Sequence, residues 1–200
     1  MISYWITKDG FEQKMALIID NTSFVRPVMA AAGREGANRL RKHFRQKDRT
    51  SANKLSSRRS HLWLEIMRSV QAPVQPSDSR VTISIVHPVI AQKVFGGTIT
   101  AKRVQNLAIP ESEEAYGRAP SVFERETGLK LIFIQANGHA FLASRIDPNS
   151  KFLEVEYILT PSVDQEADPT ALPDETEFSQ GVLDRAQKTA NRLLQKESPE

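Results

Sequence analysis

The sequence contains no cysteine, which excludes disulfide frameworks, thiolate nucleophiles and cysteine-ligated zinc sites. It also lacks any apolar run approaching the roughly 18 residues that a membrane-spanning helix requires. Its first residues do not show the charged and apolar pattern of a signal peptide. We therefore expect a protein that folds in a reducing cytoplasm and makes no membrane contact.

The motifs of several large enzyme classes are missing as well. The chain has no serine-hydrolase elbow, no kinase or phosphate-binding loop, no dinucleotide fingerprint and no HExxH zinc motif. The histidines are scattered through different predicted elements, at His43, His61, His87 and His139. Glu154 and Glu156 share one face of a predicted strand, which is expected to be its solvent face. We predict no enzymatic activity, no catalytic residues, no cofactor and no metal site.

Charge is abundant but unevenly distributed. Residues 1–100 contain 16 lysines and arginines against 7 acids, whereas residues 101–200 contain 11 against 17. The densest basic cluster is residues 34–59, with ten basic and two acidic side chains. Such a segment suits contact with an acidic protein surface or with the phosphates of nucleic acid. The predicted interaction residues are Arg34, Arg39, Arg41, Lys42, Arg45, Lys47, Arg49, Lys102 and Arg103.

The first half of the chain predicts two helices and a strand. Apolar and small residues recur every four positions from residue 28 to residue 44, which is the spacing of an amphipathic core helix. Its small side chains would let another backbone approach closely. We predict a mobile basic loop at residues 46–60. A shorter helix with Trp63 in the core is predicted at residues 61–70, and a half-buried strand at residues 81–86. Residues 73–76 predict a proline-containing linker.

Residues 95–110, FGGTITAKRVQNLAIP, are the most distinctive stretch. The glycine pair predicts a turn with positive φ, and two short strands follow, separated by an exposed basic loop at residues 101–106. The apolar residues of both strands, including Ile99, are expected to face the core. The residues predicted to fix the shape of this stretch are Gly96, Gly97, Leu107, Ile109 and Pro110.

The second half of the chain predicts an antiparallel meander and a terminal helix. Asn137 and Gly138 form a two-residue hairpin turn between two apolar strands. This turn predicts that Phe133 lies opposite Leu142 and Ile134 opposite Phe141. Residues 152–159 add a third strand, whose inward residues are predicted to be Leu153, Val155, Tyr157 and Leu159. Extended polar loops are predicted at residues 111–128 and 160–173, and a capping sequence at Asp174 begins the last helix.

We predict a single α+β domain over residues 1–200. Its sheet is mostly antiparallel, with a C-terminal three-strand meander, and packs against an N-terminal and a C-terminal helix. The N-terminal residues 1–20 suggest a strand at residues 4–6 and a turn at residues 9–10, and residues 11–19 fit either a strand or a helix.

The ordered set of these motifs resembles the phage virion morphogenesis family, the tail-completion or minor tail proteins of tailed phages and prophages. The resemblance rests on LWLEIMRSV, VTISI, IAQKVFGGTI, LAIP, EAYGR and ADPTALP in this order, and it covers residues 24–194. It implies a non-enzymatic virion protein that completes the tail or joins it to the head. Its implied partners are other tail or neck proteins and further copies of itself in a ring. Its implied location is the virion, and the host cytoplasm during assembly.

Two alternatives stay open for the basic segment. In a ring it faces an acidic segment of a neighbouring copy, at residues 111–126 or 164–177, or it makes non-specific contact with packaged DNA. The alternative from another functional class is a DNA-binding module that uses residues 34–59.

Overall fold

The computed structural model of the chain describes residues 2–7, 22–51, 61–145 and 152–197. These residues fold as an α+β protein with antiparallel sheets and long N-terminal and C-terminal helices, which confirms the predicted fold class. The helices are α1 (Thr22–Thr50), α2 (Leu62–Arg68), α3 (Ile90–Phe95), α4 (Pro120–Thr127) and α5 (Glu175–Glu197). The strands are β1 (Ile2–Thr7), β2 (Val74–Ser77), β3 (Arg80–Ile85), β4 (Gly97–Thr100), β5 (Leu107–Pro110), β6 (Ile132–Ala136), β7 (His139–Ser144), β8 (Glu154–Thr160) and β9 (Ser162–Gln165).

The chain divides into two compact units. Of the described residues, unit 1 contains 2–7, 22–50, 61–95 and 167–197, and unit 2 contains 51, 96–145 and 152–166. The predicted single domain stays a prediction, because compact units of this size can belong to one cooperatively folding domain.

The sheet of unit 1 has three antiparallel strands in the order β1-β3-β2. β1 confirms the strand predicted at residues 4–6, and it pairs with β3 from Ile2↔Ile85 to Thr7↔Arg80. β3 buries every second residue, so its alternating sequence was interpreted correctly. The predicted linker at residues 73–76 is instead largely strand β2, where Pro76 is tolerated because β2 lies at the edge of the sheet.

Helix α1 contributes to two hydrophobic clusters in unit 1. One cluster joins Leu40 and Phe44 to α2, β3 and α3, with Phe44 and Trp63 stacked at 6.0 Å between ring centroids. The other joins Phe24, Val28 and Ala32 to the apolar stripe of α5. All five residues of the four-residue repeat, from Val28 to Phe44, are buried. The predicted core helix is therefore confirmed.

The prediction of a mobile loop from residue 46 is wrong over residues 46–50, which form the last turn of α1. Tertiary contacts hold this turn. Asp48 is buried, and its carboxylate accepts hydrogen bonds from the Leu64 backbone N–H at 3.3 Å and from His61 Nδ1 at 3.0 Å. Asp48 thus caps the N-terminus of α2 from another helix. Residues 52–60, like residues 8–21 with their predicted turn, lie outside the described residues.

The larger sheet of unit 2 has four antiparallel strands in the order β5-β8-β7-β6, which confirms the predicted meander. Asn137 and Gly138 have φ angles of 52° and 78°, as a tight hairpin turn requires. The predicted cross-strand pairs are present, with Phe133 opposite Leu142 and Ile134 opposite Phe141. A separate two-stranded ribbon joins β4 to β9.

A β-bulge changes the inward face of β8. Leu142 lies opposite Tyr157, whereas the next residue, Ala143, lies opposite Val155, so β8 has one extra residue at this point. The predicted inward position of Val155 is therefore wrong, and Val155 is exposed. The predicted solvent position of Glu156 is also wrong, because only 2 % of its surface is exposed.

The two predicted polar loops contain regular structure. Residues 111–128 include α4, which begins at Pro120 and ends at Gly128 in the left-handed conformation, two positions that favour a helix boundary. Phe123 of α4 packs edge-on against Tyr157 in the core of unit 2. Residues 160–173 include β9. Among the described residues, no helix combines the length and hydropathy needed to cross a membrane.

Candidate functional site

The basic residues of α1 divide into those that stabilise unit 1 and those that face solvent. Arg39 pairs with Glu35 at 2.9 Å, and its guanidinium lies where a side chain on Gly181 of α5 would stand. Arg41 donates a hydrogen bond to the Val70 carbonyl oxygen at 2.9 Å. These two predicted interaction residues therefore have a structural role within the chain.

Lys47 is the centre of a polar cluster that fastens residues 168–170 to α1. Its Nζ lies 2.9 Å from Asp168 and 4.7 Å from the centroid of the Trp63 ring, and it also donates to the Thr170 hydroxyl. His43 Nε2 donates to the Thr170 carbonyl oxygen at 3.1 Å. The acidic residue that Lys47 meets therefore belongs to its own chain, and a role of Lys47 in binding a partner stays a prediction.

The pKa values in this cluster follow from burial and pairing. Burial lowers the pKa of His43 below its usual value, although the Thr170 carbonyl opposes that effect. Burial alone would raise the pKa of Asp168, but hydrogen bonds from Lys47 and Thr170 outweigh it and lower that pKa. Both shifts favour neutral His43 and ionised Asp168 in the folded protein. The stabilisation that this cluster gives to the folded protein therefore decreases as the pH falls. The first decrease begins below the pKa that His43 has in the unfolded chain, and the second occurs as Asp168 becomes protonated.

The remaining basic residues predicted on α1 are exposed. Among the described residues, none of them forms an ion pair or hydrogen bond within the chain. They are Arg34, Lys42, Arg45 and Arg49.

The glycine pair and the basic loop of unit 2 take the predicted conformations. Gly96 and Gly97 have φ angles of 66° and 115°, which side-chain-bearing residues rarely adopt. Residues 101–106 connect β4 to β5 without regular structure, and Lys102 and Arg103 are exposed there. The expected core position of Ile99 is wrong, because the two-stranded ribbon leaves it 37 % exposed. Leu107, Ile109 and Pro110 are half-buried in β5.

Large apolar side chains are exposed together at one end of the four-stranded sheet. Ile132 of β6 and Val155 of β8 both lie opposite Ala143, so they belong to one cross-strand row. Phe133 follows Ile132 along β6, so its side chain lies on the opposite face of the sheet, where it is 59 % exposed. We call these exposed residues, which lie at one end of the sheet but not all on one face, the apolar end of the sheet; its members are Ile132, Phe133, Phe152, Leu153 and Val155. Large apolar side chains exposed close together favour contact with another protein.

Strand β6 is an open edge of the same sheet. In the described part of the chain no strand pairs with its outer side, and its sequence IFIQA contains neither a charge nor a proline. Natural sheets usually protect an edge with such residues, because an open edge can pair with another chain. The opposite edge strand, β5, ends in Pro110. An apolar end and an unprotected edge thus coincide at β6.

Glu156 is the one buried carboxylate of the described β8 strand, and two serines satisfy it. Ser144 donates to Oε1 at 2.6 Å, and Ser112 donates to Oε2 while accepting a hydrogen bond from the Ala115 N–H at 3.1 Å. The adjacent Tyr157 donates to the Arg118 carbonyl oxygen at 3.1 Å. Burial, with a further contribution from Glu156, raises the pKa of Tyr157 to about 12. These polar groups join β8 to residues 112–118.

Among the described residues, no group of three or more histidine, aspartate or glutamate side chains could hold a metal ion. Each of the four histidines has a contact within the chain: His43 with Thr170, His61 with Asp48, His87 with Glu65 and His139 with Phe141. The apolar end of the sheet was missed by sequence reasoning. The signal that could have found it is the pair of adjacent apolar residues at the start of a strand next to the hairpin, Ile132 and Phe133.

The chain was compared with models of protein families, with curated proteins and with solved structures. None of these comparisons gives a match.

Proposed function

We propose that this chain is a non-enzymatic structural protein of a tailed phage that takes part in tail completion or head–tail joining and assembles as a ring. The observation that carries this proposal is the apolar end of the sheet beside the open edge of β6. A surface of this kind favours a second protein chain as its partner, because exposed apolar side chains and unpaired strand edges are both satisfied by association. The ordered motifs of residues 24–194 support the phage assignment.

The occupant we assign to the apolar end is another copy of this chain. Rings require heterologous contacts, in which one face of a subunit meets a different face of its neighbour. The first half of the sequence has a net positive charge and the second half a net negative charge, which suits a contact between two unlike surfaces of neighbouring copies. Charge complementarity then sets the order of subunits, and the apolar end supplies the buried contact.

The self-association is tested by analytical ultracentrifugation over a range of protein concentrations. The parent is expected to form larger species as its concentration rises, and the double variant Ile132→Ser/Phe133→Ser is expected to shift to monomer. The matched control is Val74→Ser/Val86→Ser, which removes two exposed apolar side chains from unit 1. The control is expected to associate like the parent.

A parent that stays monomeric at every concentration contradicts the ring, and so does equal loss of association in both double variants. The phage assignment has its own measurement, which is mass spectrometry of particles and assembly intermediates purified from the host strain. Absence of the chain from both fractions contradicts a structural role in the virion.

A further inference from the structure

The exposed cations of α1 form a single stripe. Arg34, Lys42, Arg45 and Arg49 lie within about 80° of the helix circumference, because successive α-helical residues turn by about 100°. They extend over about 22 Å of the helix axis at about 1.5 Å per residue. We call these four residues the cationic stripe. The other three basic residues predicted on α1 for interaction, Arg39, Arg41 and Lys47, instead make contacts within the chain.

The surroundings of the stripe are polar. Asn38 and Gln46 are exposed neighbours on the same helix. Lys42 also lines a cavity of about 150 Å³ together with Asp174 and Glu177, so the three arginines are the most positive part of the stripe. No aromatic or large aliphatic residue lies between them on this face.

The lack of apolar and aromatic side chains in the cationic stripe favours duplex DNA over a protein or a single-stranded nucleic acid as its partner. Protein interfaces concentrate their binding energy in buried aromatic and apolar anchors, and the stripe offers none. Binding to single-stranded nucleic acid uses aromatic side chains as stacking platforms, which the stripe also lacks. Duplex DNA needs neither, because arginine forks bind its phosphates directly. Arg34, Arg45 and Arg49 stand on one side of α1 at intervals of about 16 and 6 Å along its axis, so each can meet a different phosphate of one duplex.

We propose that the cationic stripe binds the phosphate backbone of duplex DNA without reading its sequence. Each cation that neutralises a phosphate releases bound counterions, so affinity falls as salt rises. The stripe belongs to unit 1 and the apolar end of the sheet belongs to unit 2. The inference therefore goes beyond the assembly function and does not depend on it.

The test is fluorescence anisotropy with a labelled 30-base-pair duplex of random sequence, between about 50 and 200 mM salt. The stripe variant carries Arg34→Gln, Lys42→Gln, Arg45→Gln and Arg49→Gln, which preserve helix propensity. The matched control carries Arg68→Gln, Lys130→Gln, Lys188→Gln and Arg192→Gln, four exposed cations outside the stripe. Both variants lose the same net charge, and circular dichroism checks that both remain folded.

The parent and the control are expected to bind the duplex with similar salt dependence. The stripe variant is expected to bind the duplex more weakly, with the slope of log K against log salt concentration reduced by about 3 to 4.

The proposal is overturned if the parent does not bind the duplex at the lowest salt concentration, or if both variants lose the same affinity for it. It is also overturned if the parent binds poly-glutamate as tightly as DNA, which would indicate an acidic protein partner. These DNA-binding measurements are independent of the sedimentation of the Ile132→Ser/Phe133→Ser variant. Either proposal can therefore be contradicted while the other stands.

Discussion

Two glutamates of β8 have opposite environments although they stand two positions apart. Glu154 is exposed, whereas Glu156 is buried between Ser112 and Ser144. In a regular strand the two would share a face, and the bulge after Val155 separates them. A buried carboxylate is tolerated only when hydrogen bonds replace its hydration. The serines meet that requirement.

We predict that Glu156→Ala destabilises the protein by about 1–3 kcal/mol, because it leaves the buried hydroxyl of Ser144 and the half-buried hydroxyl of Ser112 without their acceptor. Glu154→Ala removes the same side chain from a solvated position of the same strand, and a change within about 0.5 kcal/mol is expected. Urea unfolding, followed by circular dichroism, measures both variants. Equal midpoints for the two would mean that the serine contacts contribute nothing to stability.

The sequence predicts neither the burial of Glu156 nor the exposure of Val155, for one physical reason. A bulge is set by the pairing of β8 with β7, and alternation along β8 alone carries no signal of it. By contrast, Phe133 and Leu142 were placed opposite each other correctly, because the Asn137-Gly138 turn fixes the hairpin register locally. Local turn chemistry is readable from sequence, and tertiary adjustments are not.

At the scale of elements, α1 is the helix on which unit 1 is built, and its small residues determine how closely β3 approaches. A Cβ atom on Gly33 would overlap with Val81 Cγ1 and would lie 3.1 Å from Pro73 Cβ. The branched Val81 side chain is itself buried in β3. The prediction that the small residues of this helix allow close approach is therefore confirmed. Which element approaches could be learned only from the fold.

We predict that Gly33→Ala lowers stability by about 1–3 kcal/mol, since overpacking outweighs the roughly 1 kcal/mol that alanine gains in helix propensity. Gly181→Ala is the matched control in another helix, because the three atoms nearest to its new Cβ all belong to the flexible guanidinium group of Arg39. That control is expected to be neutral or slightly stabilising. Thermal unfolding of the two variants decides, and a stabilised Gly33→Ala would contradict the tight α1–β3 contact.

The same helix shows where sequence reasoning about the interaction residues reached its limit. Seven of the predicted interaction residues lie on α1, and nothing in the sequence distinguishes those that make contacts within the chain from those that face solvent. Arg39, Arg41 and Lys47 are separated from the cationic stripe only because Glu35, Val70 and Asp168 happen to lie beside them in the fold. Asp168 is more than a hundred residues away along the chain, so no local pattern could have assigned it to Lys47.

At the scale of the whole molecule, residues 96–166 interrupt unit 1 and contain the described part of unit 2. The chain leaves unit 1 after α3 and returns at residue 167. The Asp168 backbone N–H donates to the Lys93 carbonyl oxygen at 2.8 Å, so the two ends of the interruption lie side by side within unit 1. Ala171, just beyond the return, is buried in the cluster of Leu40 and Phe44.

We predict that residues 96–166 can be replaced by a three-glycine linker without loss of unit 1, because the ends to be joined are already in hydrogen-bonding contact. The shortened protein should retain its helical circular dichroism, the fluorescence of buried Trp63 and a cooperative thermal transition. It should also be monomeric, because it lacks the apolar end of the sheet. A transition without cooperativity would show that unit 1 needs unit 2 in order to fold.

The contact between Lys93 and Asp168 also bears on the order in which the chain folds. It closes a loop of about 75 residues, and the entropy lost on closing a loop rises with its length. If residues 96–166 fold first through their short-range hairpin, the loop that remains to be closed is much shorter. The meander of unit 2 would then precede the docking of residues 168–171 and α5 onto α1. In a cell, where the chain emerges from its N-terminus, the second apolar side of α1 stays uncovered until α5 has been synthesised.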